Sequence, residues 1–431
     1  MKLRWSSLGT GGLFVAAGAL LWAQFVNALF VAPSFALRAT EGRSHTAPRA
    51  TAGRPEARVV STSRTALDDT IERMRERVAA DPGDGESAVL LADALMRSAR
   101  VHSDAALPLE AERVLRTTLQ HGRRDYAARR MLAAVYLAQH RFADALDVAK
   151  EAQAERPQDG WNYATAGDAL LELGRYDEAF DMFDRAIARR PDAGVYARVA
   201  YAKELQGDLG GALAVMKMAA EATAPQDVEA TAWVRTQLGL LHLQRRELDE
   251  ARRQFAHAEF LFPGHPYPLT GQVRLAVERG DYHAALQILE RLPETPESMA
   301  MRGDLLAALG QSSPAETMYV QSERLERAGW KSEQPQPGAL ARFLAARDRD
   351  VAEAVRLAER AAAERQDVHT MDALAWAYFK AGRTADASLA IGRALRTGTL
   401  DAHIRCHAAV IAEARRTGAK GDCSPLTGRP A

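Results

Sequence analysis

The chain has 431 residues, 47% hydrophobic and 26% charged, and its 56 basic and 56 acidic residues leave a formal net charge of zero. That length suits one large or two ordinary globular units, and the balanced charge lacks the positive excess that phosphate binding needs, so no nucleic-acid partner is expected. Two cysteines, Cys406 and Cys423, cannot make a four-ligand zinc site, and no CxxC occurs.

Residues 5–37 carry no charge, with Lys2 and Arg4 before them and Arg38 after. Residues 1–37 therefore read as a signal peptide or an N-terminal membrane anchor, a possible tether through residues 5–37. The run is longer than an ordinary signal core, which favours an anchor. Gln24 and Asn27 interrupt it, and Val26-Asn27-Ala28 and Ser34-Phe35-Ala36 resemble cleavage sites, so both outcomes stay open. Arg38, Arg43, Arg49 and Arg54 favour a cytoplasmic C-terminal side, whereas the short basic start favours export. An exported main domain, periplasmic or otherwise extracytoplasmic, is expected. Residues 38–65, rich in Arg, Ser, Thr and Pro, have too little to bury and are expected to be a disordered linker.

From residue 66 onward small residues and breakers recur at fixed offsets. One stretch gives Tyr163, Gly167, Leu170, Gly174, Tyr176, Ala179, Phe183, Ala186 and Pro191. The stretch before it gives Leu132, Tyr136, Phe142, Ala145, Ala149, Ala152 and Pro157. Pro157 to Pro191 is 34 residues, as is Ala145 to Ala179. Further on, Gly239, Ala251, Phe255 and Pro263 repeat the pattern. The spacing predicts pairs of helices: Gly167 and Ala179 where the two cross, Gly174 turning the chain, and Pro191 stopping the second helix. Units are expected to begin near residues 85, 126, 160, 193, 232, 266, 296, 335 and 368. Each leaves an apolar face that only its neighbour can cover.

These sequences resemble tetratricopeptide repeats over about residues 66–418. The signature positions are Gly167, Ala179 and Pro191, and again Gly239, Ala251 and Pro263. The resemblance implies an all-α fold, a right-handed α-solenoid of antiparallel helix pairs with a concave face. The expected divisions are a helical repeat array over 66–330, C-terminal repeats with a capping helix over 331–418, and a disordered tail over 419–431. Residues 100–108 look like an insertion between the first two helices, and residues 329–338 like a hinge.

No catalytic, cofactor-binding or metal site is expected. The sequence contains no GxxxxGK[ST], HExxH, GxSxG or calcium loop. His403 and His407 share a helix face but have no evident third ligand, and a disulfide between Cys406 and Cys423 is left open. The resemblance also implies that certain positions of each first helix line the groove. On this chain they include Trp161, Asp168, Glu172, Tyr201, Trp233, Tyr267, Arg274, Trp376 and Lys380. The expected function is a non-enzymatic scaffold that binds another protein, as a peptide or amphipathic helix, in that groove. The alternative is a membrane-anchored structural or envelope-assembly component acting by self-association or as a spacer.

Overall fold

The computed structural model describes residues 64–121, 125–329 and 336–430. The expected leader, nearly all of the expected linker and most of the expected hinge stretch lie outside the described residues. A lone helix α1 (Arg64–Ala80) is followed by nine antiparallel pairs. Pairs 1 to 3 are α2 (Gly85–His102) with α3 (Leu107–Gln120), α4 (Tyr126–Ala138) with α5 (Phe142–Glu155), and α6 (Gly160–Glu172) with α7 (Tyr176–Arg189). Pairs 4 to 6 are α8 (Ala193–Leu205) with α9 (Leu209–Ala222), α10 (Val228–Gln244) with α11 (Leu248–Leu261), and α12 (Pro266–Glu278) with α13 (Tyr282–Leu289). Pairs 7 to 9 are α14 (Pro296–Ala308) with α15 (Ser312–Gly329), α16 (Pro337–Ala346) with α17 (Val351–Glu364), and α18 (Val368–Lys380) with α19 (Thr384–Ala394). The cap is α20 (Ala402–Thr417). Each pair starts within four residues of its expected position.

Local chemistry explains the boundaries. Most first helices open on an aspartate whose side chain accepts a backbone N–H, as Asp84, Asp125, Asp159, Asp192, Asp227 and Asp367 do. Several second helices lack that cap and place carboxylates in the first turn, such as Asp177 with Glu178 and Asp249 with Glu250. Gly174 makes the turn within pair 3 at a φ of 76°.

Gly167 has a role that the offsets only half disclosed. A Cβ there would lie 2.6 Å from the ring of Phe183, and one on Gly239 would lie 2.4 Å from Phe255. The first helix gives up a side chain so that an aromatic of the second can enter. Gly271, one pair further on, faces the same Phe255 ring, again at 2.4 Å. One ring thus sits between two successive first helices and couples the pairs. Ala179 and Ala251 are fully buried beside these crossings, and Pro191 and Pro263 lie just beyond α7 and α11.

Three segments depart from the sequence reading. The insertion at 100–108 extends α2 to His102, where Ser103 caps it in the left-handed region. Residues 419–430, expected as a disordered tail, fold back on the cap: Cys406 and Cys423 are bonded, and Cys423 bridges to Pro430. The division expected near residue 330 is no break in the core, because one cluster of buried side chains runs from Ile71 to Cys423. Among the described residues no helix is long and apolar enough to cross a membrane.

The clasp around Phe255 makes a direct prediction. Gly239→Ala should overpack it and cost about 1–3 kcal/mol, lowering the thermal midpoint followed by circular dichroism. Gly392→Ala, in α19 with no atom within 4 Å of the added Cβ, should instead stabilise by up to about 1 kcal/mol.

Candidate partner-binding site

The superhelix returns upon itself. Where α2 ends, Arg97 Nη1 lies 3.1 Å from Asp227 Oδ2, and Arg100 Nη2 lies 2.8 Å from Glu229 Oε2. Arg64 donates to the Gly264 carbonyl at 2.8 Å, and Leu67 and Val101 share a core with Ala232, Ala258 and Phe262. The start of the array is thus fastened to pairs 5 and 6. Pair 3 meets pair 9 in the same way. Tyr176 Oη accepts the Val368 N–H at 2.8 Å, and Arg396 donates to the Gly174 carbonyl at 2.6 Å. Arg365 lies 3.4 Å from Glu172 across this seam. Pair 4 continues it: a Cβ on Gly207 would stand 2.7 Å from the Gly398 carbonyl oxygen.

The seam changes the expected groove. Asp168, Glu172, Tyr201, Trp233, Tyr267, Arg274 and Trp376 are all buried on first helices, facing other parts of the chain instead of an open channel. Asp168 Oδ2 accepts from Arg198 Nε at 2.6 Å, yet burial outweighs the arginine and pushes its pKa up to about 6. Burial also raises Glu172, with Asp367 and Asp168 adding to the effect and Arg365 opposing it. Arg274 lies in the field of Asp401 and Glu204; burial pulls it down to about 10 against both carboxylates. Tyr267 packs on His265, with ring centroids 4.9 Å apart, and Trp376 stacks on His407 at 3.9 Å. Lys380 is held by Asp348 at 2.9 Å and Asp422 at 3.0 Å. Trp161 is partly buried beneath the Arg130 guanidinium, 4.8 Å from its ring. Offsets within one repeat identify the inward positions, but some of the groups that face them lie far along the chain, as Arg365 does from Glu172 and Asp401 from Arg274.

One stretch of the seam stands open. Between pair 2 and pair 8 lies a cleft of ≈ 500 Å³ whose lining includes His140, Arg141, Leu173, Arg342, Arg360 and Arg365. Its charged lining is four arginines against Asp144 and Glu364, and Phe142, Leu173, Pro337 and Ala361 supply apolar surface. His140 occupies the left-handed turn position at a φ of 59°, where pairs 3 and 4 use Gly174 and Gly207. Burial, aided by Arg365 and opposed by Asp367, holds its imidazole neutral down to about 3. The missing turn glycine in Gln139-His140-Arg141 was the sequence signal for this spot.

His403 and His407 do not converge on a metal. His407 Nδ1 lies 2.8 Å from Asp372 Oδ1, and His403 Nε2 lies 3.1 Å from the Pro425 carbonyl oxygen. Among the described residues no group of three ligand side chains could hold a metal ion.

Two family profiles, both described as tetratricopeptide repeat, match residues 96–160 and 136–203. The chain carries tetratricopeptide repeats. No curated protein matches it in sequence. Among solved structures, a tetratricopeptide repeat protein from Parabacteroides merdae is 15% identical, over 60% of this chain and 93% of that one, with a TM-score of 0.40. Pseudomonas aeruginosa pilF is 19% identical, over 46% and 91%, with a TM-score of 0.38. A human IFIT1 dimer with m7Gppp-AAAA is 16% identical, over 78% and 77%, with a TM-score of 0.49. These identities are too low to carry function from one chain to another.

The ionic fastening of tetratricopeptide pair 1 to pair 5 has a pH signature. Burial pushes Glu229 up, but Arg100, His265 and Arg97 outweigh it and hold the carboxyl well below the usual range. A carboxyl depressed in the folded state lends stability that is complete above its unfolded value and is lost as pH falls towards the folded one. Amide protection at the start of α10, corrected for the intrinsic pH dependence of exchange, should therefore fall as pH is lowered below about 4.5, and Glu229→Gln should flatten that dependence. Arg100→Met, which removes the nearest partner of Glu229 and leaves it Arg97 and His265, should cost up to about 3–5 kcal/mol in denaturant unfolding.

Proposed function

We propose that this chain is a non-enzymatic interaction scaffold that binds an extended segment or amphipathic helix of another protein outside the cytoplasm. Tetratricopeptide repeats typically bind other proteins. The observation that carries the reading is the cleft between pairs 2 and 8, where the return of the superhelix stays open while its neighbours on both sides close. Arginines over an apolar floor suit a partner segment with an acidic face, because guanidinium groups pair with carboxylates in fixed geometry and the floor takes an apolar anchor. His140 adds support, since a residue kept in a costly backbone conformation is often retained for a function. The Cys406–Cys423 bond supports the location, because such bonds persist in oxidising compartments. The uncharged run at residues 5–37 is consistent with it.

Cross-linking capture with the full chain tests the cleft. Arg360→Glu, at a half-exposed side chain, should leave the thermal midpoint unchanged and weaken capture of an acidic partner at least about tenfold. His140→Gly should raise stability by about 1–2 kcal/mol and also weaken capture. Partner capture indifferent to both substitutions would remove the cleft from the proposal. A topology reporter fused after residue 66, with N-terminal sequencing of the mature chain, should place the array outside the cytoplasm. A cytoplasmic reporter signal would refute the location.

A further inference from the structure

The segment after α20 has two faces. Its inner face is fixed to the cap. Cys423 is bonded to Cys406, and the Pro425 carbonyl meets His403. A Cβ on Gly428 would stand 2.8 Å from the His403 backbone nitrogen. Its own backbone closes a tight loop, with Ser424 N–H donating to the Arg429 carbonyl at 2.8 Å and Gly428 N–H to the Ser424 carbonyl at 2.9 Å. The outer face of this loop presents two side chains to a distant pair. Leu426 packs against the cluster that contains Val273, Val277 and Met301 on α12 and α14. Arg429 Nη2 donates to Glu278 Oε2 at 2.7 Å, and the Glu278 side chain is only 3% exposed.

The loop thus behaves as a ligand that happens to be covalently attached. It packs one partly buried leucine against an apolar cluster and pairs one arginine with a nearly buried carboxylate, a combination of anchor and orienting charge typical of peptide recognition. Arg274, at an expected groove position, lines the same small cavity together with Val273, Val277, Glu278, Met301, His403 and Leu426. We propose that the inner face of pairs 6 and 7 is a second partner-binding site, occupied in this state by residues 424–430. Its partner is a tight loop of another protein bearing a leucine and, three residues later, an arginine. This rests on the reading of the chain as a scaffold, and it adds a second site whose carboxylate, Glu278, is shared by Arg246 and Arg429. Attachment through α20 keeps the resident loop at a high effective concentration, so an outside segment enters only when the resident contacts are weakened.

The test uses the full chain and a fluorescent peptide of residues 420–430 with Cys423→Ser as probe. Wild-type protein should bind the peptide weakly. Leu426→Ala and Arg429→Ala, made singly with the disulfide intact, should each tighten peptide binding at least about tenfold by vacating the site. Peptides carrying Leu426→Ala or Arg429→Ala should lose that gain. Hydrogen exchange supplies a second reading: α12 amides should gain exchange in both protein variants and regain protection when the probe is added. Equal peptide affinity for wild type and variants, indifference to the two peptide substitutions, or unchanged exchange at α12 would each overturn the inference. Loss of the Arg360-dependent partner with peptide exchange intact would count against the cleft alone. Failed peptide exchange with that partner retained would count against this site alone.

Discussion

No helix pair in this chain can cover its own apolar face, and everything else in the structure follows from how that face is covered. Within the array the next pair does it, with Phe255 held between Gly239 and Gly271 as the sharpest instance. The array then bends until its edge meets its own later pairs. That edge is joined by arginines to carboxylates and carbonyls, with Leu67 and Val101 adding apolar packing against Ala232, Ala258 and Phe262. Burying such pairs adds little net stability, but it fixes geometry, because one partner left alone is costly. The seam therefore does more to set how far the superhelix closes than to hold its pairs together.

Much of the fold was legible because it is local. A glycine on one helix and an alanine or aromatic on the next are read at fixed distance along the chain, and the structure places pairs at those offsets. The fate of the inward side chains was not legible in the same way. Glu172 and Arg274 stand on the predicted first helices, but Arg365 and Asp401, which face them, lie far away in sequence. Period alone does not state the pitch of the superhelix, and pitch decides whether an inward residue faces solvent or its own chain. The extension of α2 made the same point: it looked like a tolerated insertion, and it carries Arg100 to the buried carboxylate of Glu229.

The cleft between pairs 2 and 8 gains its meaning from its neighbours. Pair 1 reaches pairs 5 and 6, pair 3 reaches pair 9, and pair 4 reaches the start of the cap. An opening beside these junctions is a local interruption of self-recognition, and the side chains around it are of the kind that make the junctions. A guest bearing carboxylates would use the chemistry by which the chain recognises itself.

The fastening of the last residues also gives the molecule a mechanical direction. Stacked repeats ordinarily fray from both ends, because a terminal repeat has only one neighbour. Here the C-terminal end is tied by a covalent bond to α20 and by Arg429 to α12, several pairs back along the chain. Pulling on that end loads a closed ring of helices, whereas pulling on the N-terminal side loads α1 and the salt bridges of α2 in turn. Under load, the array would yield from its N-terminal side first and keep its far end intact.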